Sequence, residues 1–182
     1  MDDTIEYYNK NAEHFAEETF LVDFTATQNR FLSKLSAGAN ILDFGCGSGR
    51  DAKYFSDKGY LVEATDGSEE LCRLAREYTG IGVKQMLFEE LDVCEKYDGI
   101  WACASILHLT QGTLKVVLKK MAAALKTNGI IYASFKYGDF EGKRSGRYFS
   151  DFTPEAFKAF IREIDELQME EYWITEDVRP GR

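Results

Sequence analysis

Histidine, proline and paired cysteines are scarce in this 182-residue chain. It has two histidines, two prolines and four cysteines, and no two cysteines stand at C-x-x-C spacing. Structural zinc sites are built mainly from closely spaced cysteine and histidine ligands. The sequence therefore argues against a zinc site, and we predict no bound metal. We expect the cysteines to be reduced thiols, as is usual in cytosolic proteins.

Positive charge and long apolar runs are also lacking. The formal net charge is −9 and the sequence pI is about 4.8. Nucleic-acid binding normally needs a basic footprint, so this balance argues against DNA or RNA as a partner. The first residues, MDDTIEYYNK, lack the apolar core of a signal peptide, and no run approaches the length of a membrane span. We predict a cytoplasmic protein with no membrane partner.

The chain has no internal repeat and no proline-rich linker that would separate two domains. With 182 residues, of which 45% are hydrophobic, it can bury the core of one domain. Apolar residues from Ile5 to Phe15 recur at helical spacing, and a second helical segment covers 24–35. We therefore predict a single domain over 1–182. It divides into a helical N-terminal part (1–37) and a core (38–182).

Strands and helices are predicted to alternate through most of the core. The predicted strands cover 40–45, 60–66, 82–86, 97–105 and 130–135. The predicted helices cover 50–59, a stretch capped by Ser68, and 114–125. Such alternation is typical of βαβ units with right-handed crossovers. The fold class is therefore predicted to be α/β, with a doubly wound, mostly parallel sheet.

The C-terminal third is predicted less regularly. Segment 136–149 is polar and is expected to be an irregular loop. Thr153 is expected to cap a helix that has Pro154 at its first position. Residues 170–178, EEYWITEDV, are predicted to form a sixth strand that buries its aromatic and aliphatic side chains.

A glycine-rich loop follows the first predicted strand, in the stretch ILDFGCGSGRDA (41–52). A loop of this kind between a strand and a helix usually contacts a ligand. Residues 47–52 match the dinucleotide pattern G-x-G-x-x-G/A, but that match leaves Asp43 unexplained. The alternative pattern is a strand, an acid and G-x-G-x-G. Asp66 ends the second strand 19 residues after Gly47, where either kind of nucleotide ligand could use its carboxylate.

The motif ILDFGCGSG, Asp66 and the stretch CASILHL (103–109) together resemble class I, Rossmann-like methyltransferases that use S-adenosylmethionine (SAM). Within that superfamily, GCGSGRDAKYFSDKGYLVEATDGS is similar to the small tellurite-resistance-like branch. The resemblance implies SAM as cofactor and S-adenosylhomocysteine (SAH) as product. It also implies an antiparallel seventh strand, for which this chain has no residues after RPGR (179–182). We expect that either the natural chain is longer, or strand six moves into the vacant place or pairs with another subunit.

The resemblance also implies which residues meet the cofactor. Asp43 would support the glycine loop, Asp66 would hold the ribose, and Cys103 would lie beside the methionine portion. The full predicted set for the cofactor is Asp43, Gly45, Cys46, Gly47, Gly49, Asp66, Gly67, Leu87, Phe88 and Cys103.

For the methyl acceptor, the resemblance points to residues outside the glycine loop. His108 follows strand four and could take a proton from an acceptor hydroxyl or amine. The N-terminal helices would cover the pocket. The candidate acceptor-binding residues are Tyr7, Tyr8, Arg50, Lys136 and Arg147. For Arg50, the alternative is pairing with a nearby acid.

These features predict direct displacement of the methyl group by a small-molecule acceptor. ACAS (102–105) stands where enzymes that methylate amino groups of DNA or of protein glutamine carry Asn/Asp-Pro-Pro-Tyr. Two other functions stay open: a SAM-binding regulatory protein without catalysis, and a nicotinamide oxidoreductase. The protein is expected to be a monomer or a homodimer.

Overall fold

A computed structural model describes residues 2–176 and contains a central parallel sheet. The five strands lie in the order β3-β2-β1-β4-β5. They are β1 (Asn40–Phe44), β2 (Leu61–Asp66), β3 (Val83–Gln85), β4 (Tyr97–Ala102) and β5 (Leu125–Ala133). The strand order reverses between β1 and β4, and ligands of such sheets bind at that point. The α/β prediction is confirmed.

Helices cover both faces of this sheet and precede it. They are α1 (Asp2–Lys10), α2 (Ala12–Phe20), α3 (Thr25–Leu32), α4 (Arg50–Asp57), α5 (Glu69–Thr79), α6 (Gln111–Ala124) and α7 (Pro154–Ile161). Two short 3₁₀ helices cover Phe88–Glu90 and Ile106–His108. Among the described residues, no helix is both long and apolar enough to cross a bilayer.

The core is centred on β1 and β4, which have a strand on each side. Ile41, Phe44, Ile100 and Trp101 are completely buried there. On one face, α6 packs its apolar stripe, which includes Leu114, against Phe44 and Ile100, whereas Ile41 and Trp101 pack with Phe31 of α3. Full burial of one such side chain contributes about 1.5–3 kcal/mol. The central strands are therefore the rigid support for the loops at their carboxyl ends.

Two predicted helix caps are present. Ser68 Oγ accepts a hydrogen bond from the Leu71 N–H (3.2 Å). Thr153 Oγ1 accepts one from the Ala156 N–H (3.2 Å). Each cap satisfies a backbone donor that the helix itself leaves unpaired. Both confirm helix starts that local sequence predicted.

The first predicted helix is divided in two at Asn11. The Asn11 side chain donates to the Tyr7 carbonyl (2.7 Å) and so competes with the helical backbone pattern. Helix α1 lies beside the start of α5, where Ser68 Oγ donates to Asn9 Oδ1 (2.6 Å). At the end of α2, Thr19 Oγ1 lies 2.9 Å from Ser48 Oγ in the glycine loop. The N-terminal helices therefore lie over the carboxyl ends of β1 and β2.

The prediction of an irregular loop at 136–149 is wrong. Most of it forms an antiparallel hairpin of β6 (Glu141–Arg144) and β7 (Arg147–Ser150). The two residues between the strands, Ser145 and Gly146, have φ values of +50° and +76°. Two consecutive positive φ angles make the tight turn that matches the twist of paired strands. The polar strands lack the alternating pattern that would have revealed them.

The predicted sixth strand is also wrong for its described part, because 170–176 pairs with no strand. Instead, this segment lies beside α3 and the residues that follow it: Glu171 pairs with Arg30 and Glu170 with Lys34, both at 2.7 Å, and the Arg30 guanidinium lies 3.9 Å from the ring centre of Trp173. Tyr172 is 57% exposed, contrary to the burial expected. Within residues 2–176 the sheet therefore ends at β5. The rest of that prediction and the RPGR turn (179–182) lie outside the described residues.

Candidate active site

The glycine loop is held against the end of β2. The N–H groups of Gly45 and Cys46 both donate to the Thr65 carbonyl, each at 2.8 Å. Gly45 has φ +83°, and a Cβ added there would lie only 2.4 Å from Cβ of Ser105. Gly49 has φ +85° and precedes the first turn of α4. The loop can therefore make this path only with glycine at these positions.

Asp66 connects the glycine loop to the start of α5. Its Oδ2 accepts from the Gly47 N–H (2.9 Å), and its Oδ1 accepts from the Ser68 N–H (2.8 Å). Burial raises the pKa of this carboxyl group, while the backbone donors favour its charged form. The side chain is partly exposed to the cleft beyond the loop. Each carboxylate oxygen can accept a further hydrogen bond from a ligand.

Asp43 lies behind the glycine loop and does not line the cleft. The residue is 2% exposed, and its Oδ2 has no hydrogen-bond partner among residues 2–176. Burial raises its pKa well above the usual carboxyl value, and the neighbouring Asp51 adds to the shift. A buried oxygen without a hydrogen-bond partner among the described residues is uncommon. A donor from outside these residues would satisfy it.

Arg50 is paired with the acid that follows it. Its Nε and Nη2 donate to the two oxygens of Asp51 at 2.8 and 2.9 Å. Asp51 also accepts from Trp101 Nε1 (2.9 Å) and Gln28 Nε2 (2.7 Å). This network joins α3, α4 and β4 under the loop. Of the two alternatives for Arg50, the structure contains the pairing with a nearby acid.

The turn after β3 forms one wall of the cleft. Leu87 is 37% exposed there, and the Phe88 ring packs edge-on against Phe44 at 4.8 Å between centroids. A Cβ added to Gly67 would lie 3.3 Å from Cδ1 of Ile5, which belongs to α1, and 3.5 Å from Cδ2 of Leu87. Ile5 therefore adds an apolar side chain from α1 to this part of the cleft. Ile5 was predicted only as part of an apolar helix face.

Tyr8 and His108 meet at the other end of the cleft. Tyr8 Oη lies 2.9 Å from His108 Nε2, and His108 Nδ1 lies 2.6 Å from the Tyr148 carbonyl. A carbonyl only accepts, so Nδ1 carries the proton and Nε2 accepts from the Tyr8 hydroxyl. Burial lowers the pKa of His108 to about 4. The imidazole is therefore neutral near pH 7.

Cys103 lies between the two ends, after β4. Ser134 Oγ donates to its Sγ at 3.9 Å. Burial raises the pKa of this thiol to about 12, and the Asp51 charge adds to the shift. Cys103 is therefore a neutral thiol near pH 7, and it can pack against a ligand but is a poor nucleophile.

One cleft of about 1500 Å³ brings most of the predicted residues together. That volume exceeds the space that one drug-sized ligand usually occupies. The predicted residues that line it are Tyr8, Gly45, Cys46, Gly47, Arg50, Asp66, Gly67, Leu87, Phe88, Cys103, His108, Lys136 and Arg147. Asp43, Gly49 and Tyr7 do not line it.

Phe15 and Ser105 also line the cleft, although neither was predicted as a site residue. The Phe15 ring covers Gly47, since a Cβ added there would lie 3.0 Å from it. Ser105 Oγ donates to the Phe44 carbonyl (2.6 Å) and supports the loop from the β4 side. Phe15 was visible in the sequence as part of an apolar helix face, a pattern that does not separate packing from ligand contact. No sequence signal marked Ser105.

Comparison with known families supports this arrangement. A methyltransferase-domain family matches residues 41–129, which include the glycine loop, Asp66 and His108. Residues 41–129, just under half of the chain, are therefore similar to a methyltransferase domain. A ubiquinone biosynthesis O-methyltransferase of Rickettsia akari (strain Hartford) is 30% identical over 122 residues, covering 64% of this chain and 46% of the relative. The family uses SAM as methyl donor.

A second relative agrees with the branch that the sequence resembles. The probable SAM-dependent methyltransferase TehB of Haemophilus influenzae (strain 10810) is 23% identical over 136 residues, covering 71% of this chain and 46% of the relative. The chain therefore spans slightly less than half the length of these two curated relatives.

A solved structure has the same fold. It is the 1,6-didemethyltoxoflavin-N1-methyltransferase of Burkholderia thailandensis with bound 1,6-didemethyltoxoflavin and SAH. Its TM-score is 0.69 at 22% identity, and the match covers 87% of this chain and 72% of that one. At this identity the similarity establishes the fold and says nothing about the substrate of this chain.

Proposed function

We propose that this chain transfers the methyl group of SAM to a small-molecule acceptor by direct displacement. The observation that carries the proposal is the position of Asp66. Its carboxylate is bonded to the glycine loop (2.9 Å to the Gly47 N–H) and opens onto a cleft at the point where strand order reverses. A carboxylate there can accept hydrogen bonds from both ribose hydroxyls of a nucleoside.

The residues of the cleft fit SAM. Asp66 would hold the ribose, and the turn at Leu87 and Phe88 would flank the adenine. The backbone of Gly45 and Gly47 would face the methionine portion. A Cβ at Gly45 would clash with Ser105, and one at Gly47 would lie 3.0 Å from the Phe15 ring. Asp43 is buried behind the loop and does not line the cleft, so it would support the loop from below rather than contact the cofactor. When bound, SAM supplies a methyl group that its positively charged sulfur already activates.

The protein's contribution is then mainly to align the reactants and exclude water. Helices α1 and α2 cover the carboxyl ends of β1 and β2, with Phe15 over Gly47 and Ile5 beside Gly67. Such a cover keeps an acceptor in line with the reacting carbon and keeps hydroxide away from it. We therefore propose that 1–37 acts as the lid of the site.

Proton removal from the acceptor would involve Tyr8 together with His108. Because the Tyr8 hydroxyl occupies His108 Nε2, an acceptor would reach the imidazole through that hydroxyl. The Tyr8 oxygen would take the acceptor proton while its own proton moves to Nε2. A thiol acceptor would need little of this help, since a thiolate forms near its own pKa.

Two measurements test the proposal. Isothermal titration with SAM, SAH and NAD should give binding of SAM and SAH and none of NAD. Incubation with SAM labelled in the methyl group and a panel of small thiols, selenols, phenols and amines should give a labelled product. SAM binding without transfer to any acceptor would favour a regulatory SAM-binding protein, whereas NAD binding alone would favour an oxidoreductase.

We also propose the cytoplasm as its location. All four cysteines are free in the structure, and three of them are buried or half-buried. This arrangement supports a reducing compartment, where free thiols persist. Cells that make the tagged full-length protein can be fractionated and the tag detected in each fraction. Recovery of the protein in an oxidising compartment would contradict the proposal.

A further inference from the structure

Arg147 carries a positive charge into the cleft and has no acidic partner among the residues that the structure describes. It begins β7 and lines the cleft beside Tyr8 and His108. Within residues 2–176 it forms no ion pair, and its buried Nε has no hydrogen-bond partner. Its Nη1 makes one long hydrogen bond, 3.4 Å to Tyr8 Oη. The Nη groups of this residue therefore keep donors that no residue in 2–176 occupies, and these can bind another molecule in the cleft.

The neighbouring cations of the hairpin are paired with acids. Both Nη atoms of Arg144 donate to Asp151, at 2.6 and 2.8 Å. Lys143 is paired with Asp3 on α1. Acids are in excess in this protein, whose net charge is −9. A shortage of carboxylates therefore does not explain why Arg147 has no acidic partner among residues 2–176.

Aromatic rings hold the Arg147 guanidinium in place. Its central carbon lies 4.5 Å from the ring centre of Tyr7, 5.2 Å from Phe149 and 5.8 Å from Tyr8. Cation–π attraction offsets part of the cost of taking this charge out of water. Ring faces stabilise the cation without using its N–H donors. The planar fork therefore stays available for an oxyanion, which it can bind through two parallel hydrogen bonds.

We propose that the methyl acceptor carries an anionic oxygen group, such as a carboxylate, that Arg147 binds. This inference rests on the proposed function and names the class of its acceptor. The position favours the acceptor over the donor, because Arg147 contacts Tyr8, which is bonded to His108, rather than the glycine loop. The other source of the same chemistry is the carboxylate of SAM itself, so the test must separate the two.

The test compares benzoate with benzamide, which have nearly the same shape and differ in charge. Binding of each to the wild type, with and without SAH, is measured by NMR titration. We expect benzoate to bind at least tenfold tighter than benzamide. Arg147→Met should remove that difference. The matched control is Lys143→Met. It removes one positive charge from the same hairpin but should keep the preference for benzoate over benzamide.

SAH affinity is measured on the same proteins. Arg147→Met should bind SAH within about threefold of the wild type, because the proposed anion belongs to the acceptor. A tenfold loss of SAH affinity would assign Arg147 to the donor carboxylate and overturn the inference. So would equal binding of benzoate and benzamide by the wild type, no benzoate binding, or a preference that survives Arg147→Met.

Failure of the proposed function has a different signature. If the wild type binds neither SAM nor SAH, the methyl-transfer proposal fails, while the titration without SAH still reports on Arg147. Should Arg147→Met not fold, as judged by its thermal melt, Arg147→Lys replaces it. A lysine keeps the charge but loses the fork, so we expect the preference for benzoate to shrink but persist. An unchanged preference would overturn the bidentate contact.

Discussion

The hydroxyl oxygen of Tyr8 lies 2.9 Å from Nε2 of His108, one hundred residues further along the chain. Because Nδ1 faces the Tyr148 carbonyl at 2.6 Å, the ring is held as one neutral tautomer between a donor and an acceptor. Protonating Nε2 would break the bond from Tyr8 in a buried place. The pair is therefore a source of pH-dependent stability as well as the proposed route for a proton.

Stability should fall as the pH is lowered through the range in which only unfolded His108 binds a proton. Burial lowers its pKa from 6.5 to about 4, so between these values the unfolded state binds more protons than the native state. The free energy of unfolding then decreases with falling pH, by up to about 3 kcal/mol from this group. Urea unfolding at several pH values measures the change.

Comparison with His108→Asn isolates that contribution. Asparagine can still donate to the Tyr148 carbonyl but does not titrate, so the stability gap between wild type and variant should narrow toward pH 4. His14→Asn, at an exposed histidine, is the matched control. If the difference in unfolding free energy between wild type and His108→Asn stays constant with pH, the pKa of His108 is the same in the folded and unfolded states.

Asp66→Ala should weaken SAM and SAH by at least tenfold. The substitution removes a carboxylate that would accept hydrogen bonds from the ribose, and such bonds to charged groups contribute about 1.5–3 kcal/mol each. Isothermal titration measures the loss. Glu69→Ala removes an exposed carboxylate three residues later, outside the cleft, and should bind as the wild type does. Unchanged SAH affinity in a folded Asp66→Ala protein would remove Asp66 from the site.

Gly45→Ala should destabilise the protein more than Gly59→Ala does. Both glycines have positive φ, +83° and +86°, so alanine strains the backbone at each by about 1–2 kcal/mol. At Gly59 the new Cβ would meet nothing within 4 Å, whereas at Gly45 it would lie 2.4 Å from Cβ of Ser105. We expect about 1–3 kcal/mol more loss at Gly45. Equal urea-unfolding midpoints for the two variants would show that the Ser105 side chain moves aside at little cost in free energy.

Only one of the four cysteines should react quickly with a chromogenic disulfide reagent at about pH 8. Cys94 is exposed, whereas burial raises the pKa of Cys72 to about 11 and of Cys103 to about 12. Cys46 is buried, and this burial raises its pKa well above the ordinary thiol value. Cys94→Ser should remove the fast phase. Two fast thiols in the native protein would contradict the burial of the others.

The chain's local patterns were sufficient for the five parallel strands and for the glycine-loop half of the candidate site. The apolar run before Gly45, the alternate glycines and the acid at Asp66 predicted the loop, and Ser68 predicted the helix start beside it. These features depend on neighbours in sequence: φ angles that only glycine adopts readily, and caps that reach three residues ahead. Short-range geometry of this kind can be read from spacing.

The acceptor end was decided by tertiary structure. His108 was predicted as a base, but its hydrogen-bond partner Tyr8 comes from α1. Arg147, which has no acidic partner among residues 2–176, stands on a hairpin that was predicted as a loop. Residues 170–176 had the composition of a strand, yet they lie beside α3 and the residues after it, where Glu170 and Glu171 form ion pairs. Such contacts join residues about a hundred or more positions apart. They depend on which surfaces pack together and which charged side chains form ion pairs. The spacing of residues along the chain does not predict these long-range contacts.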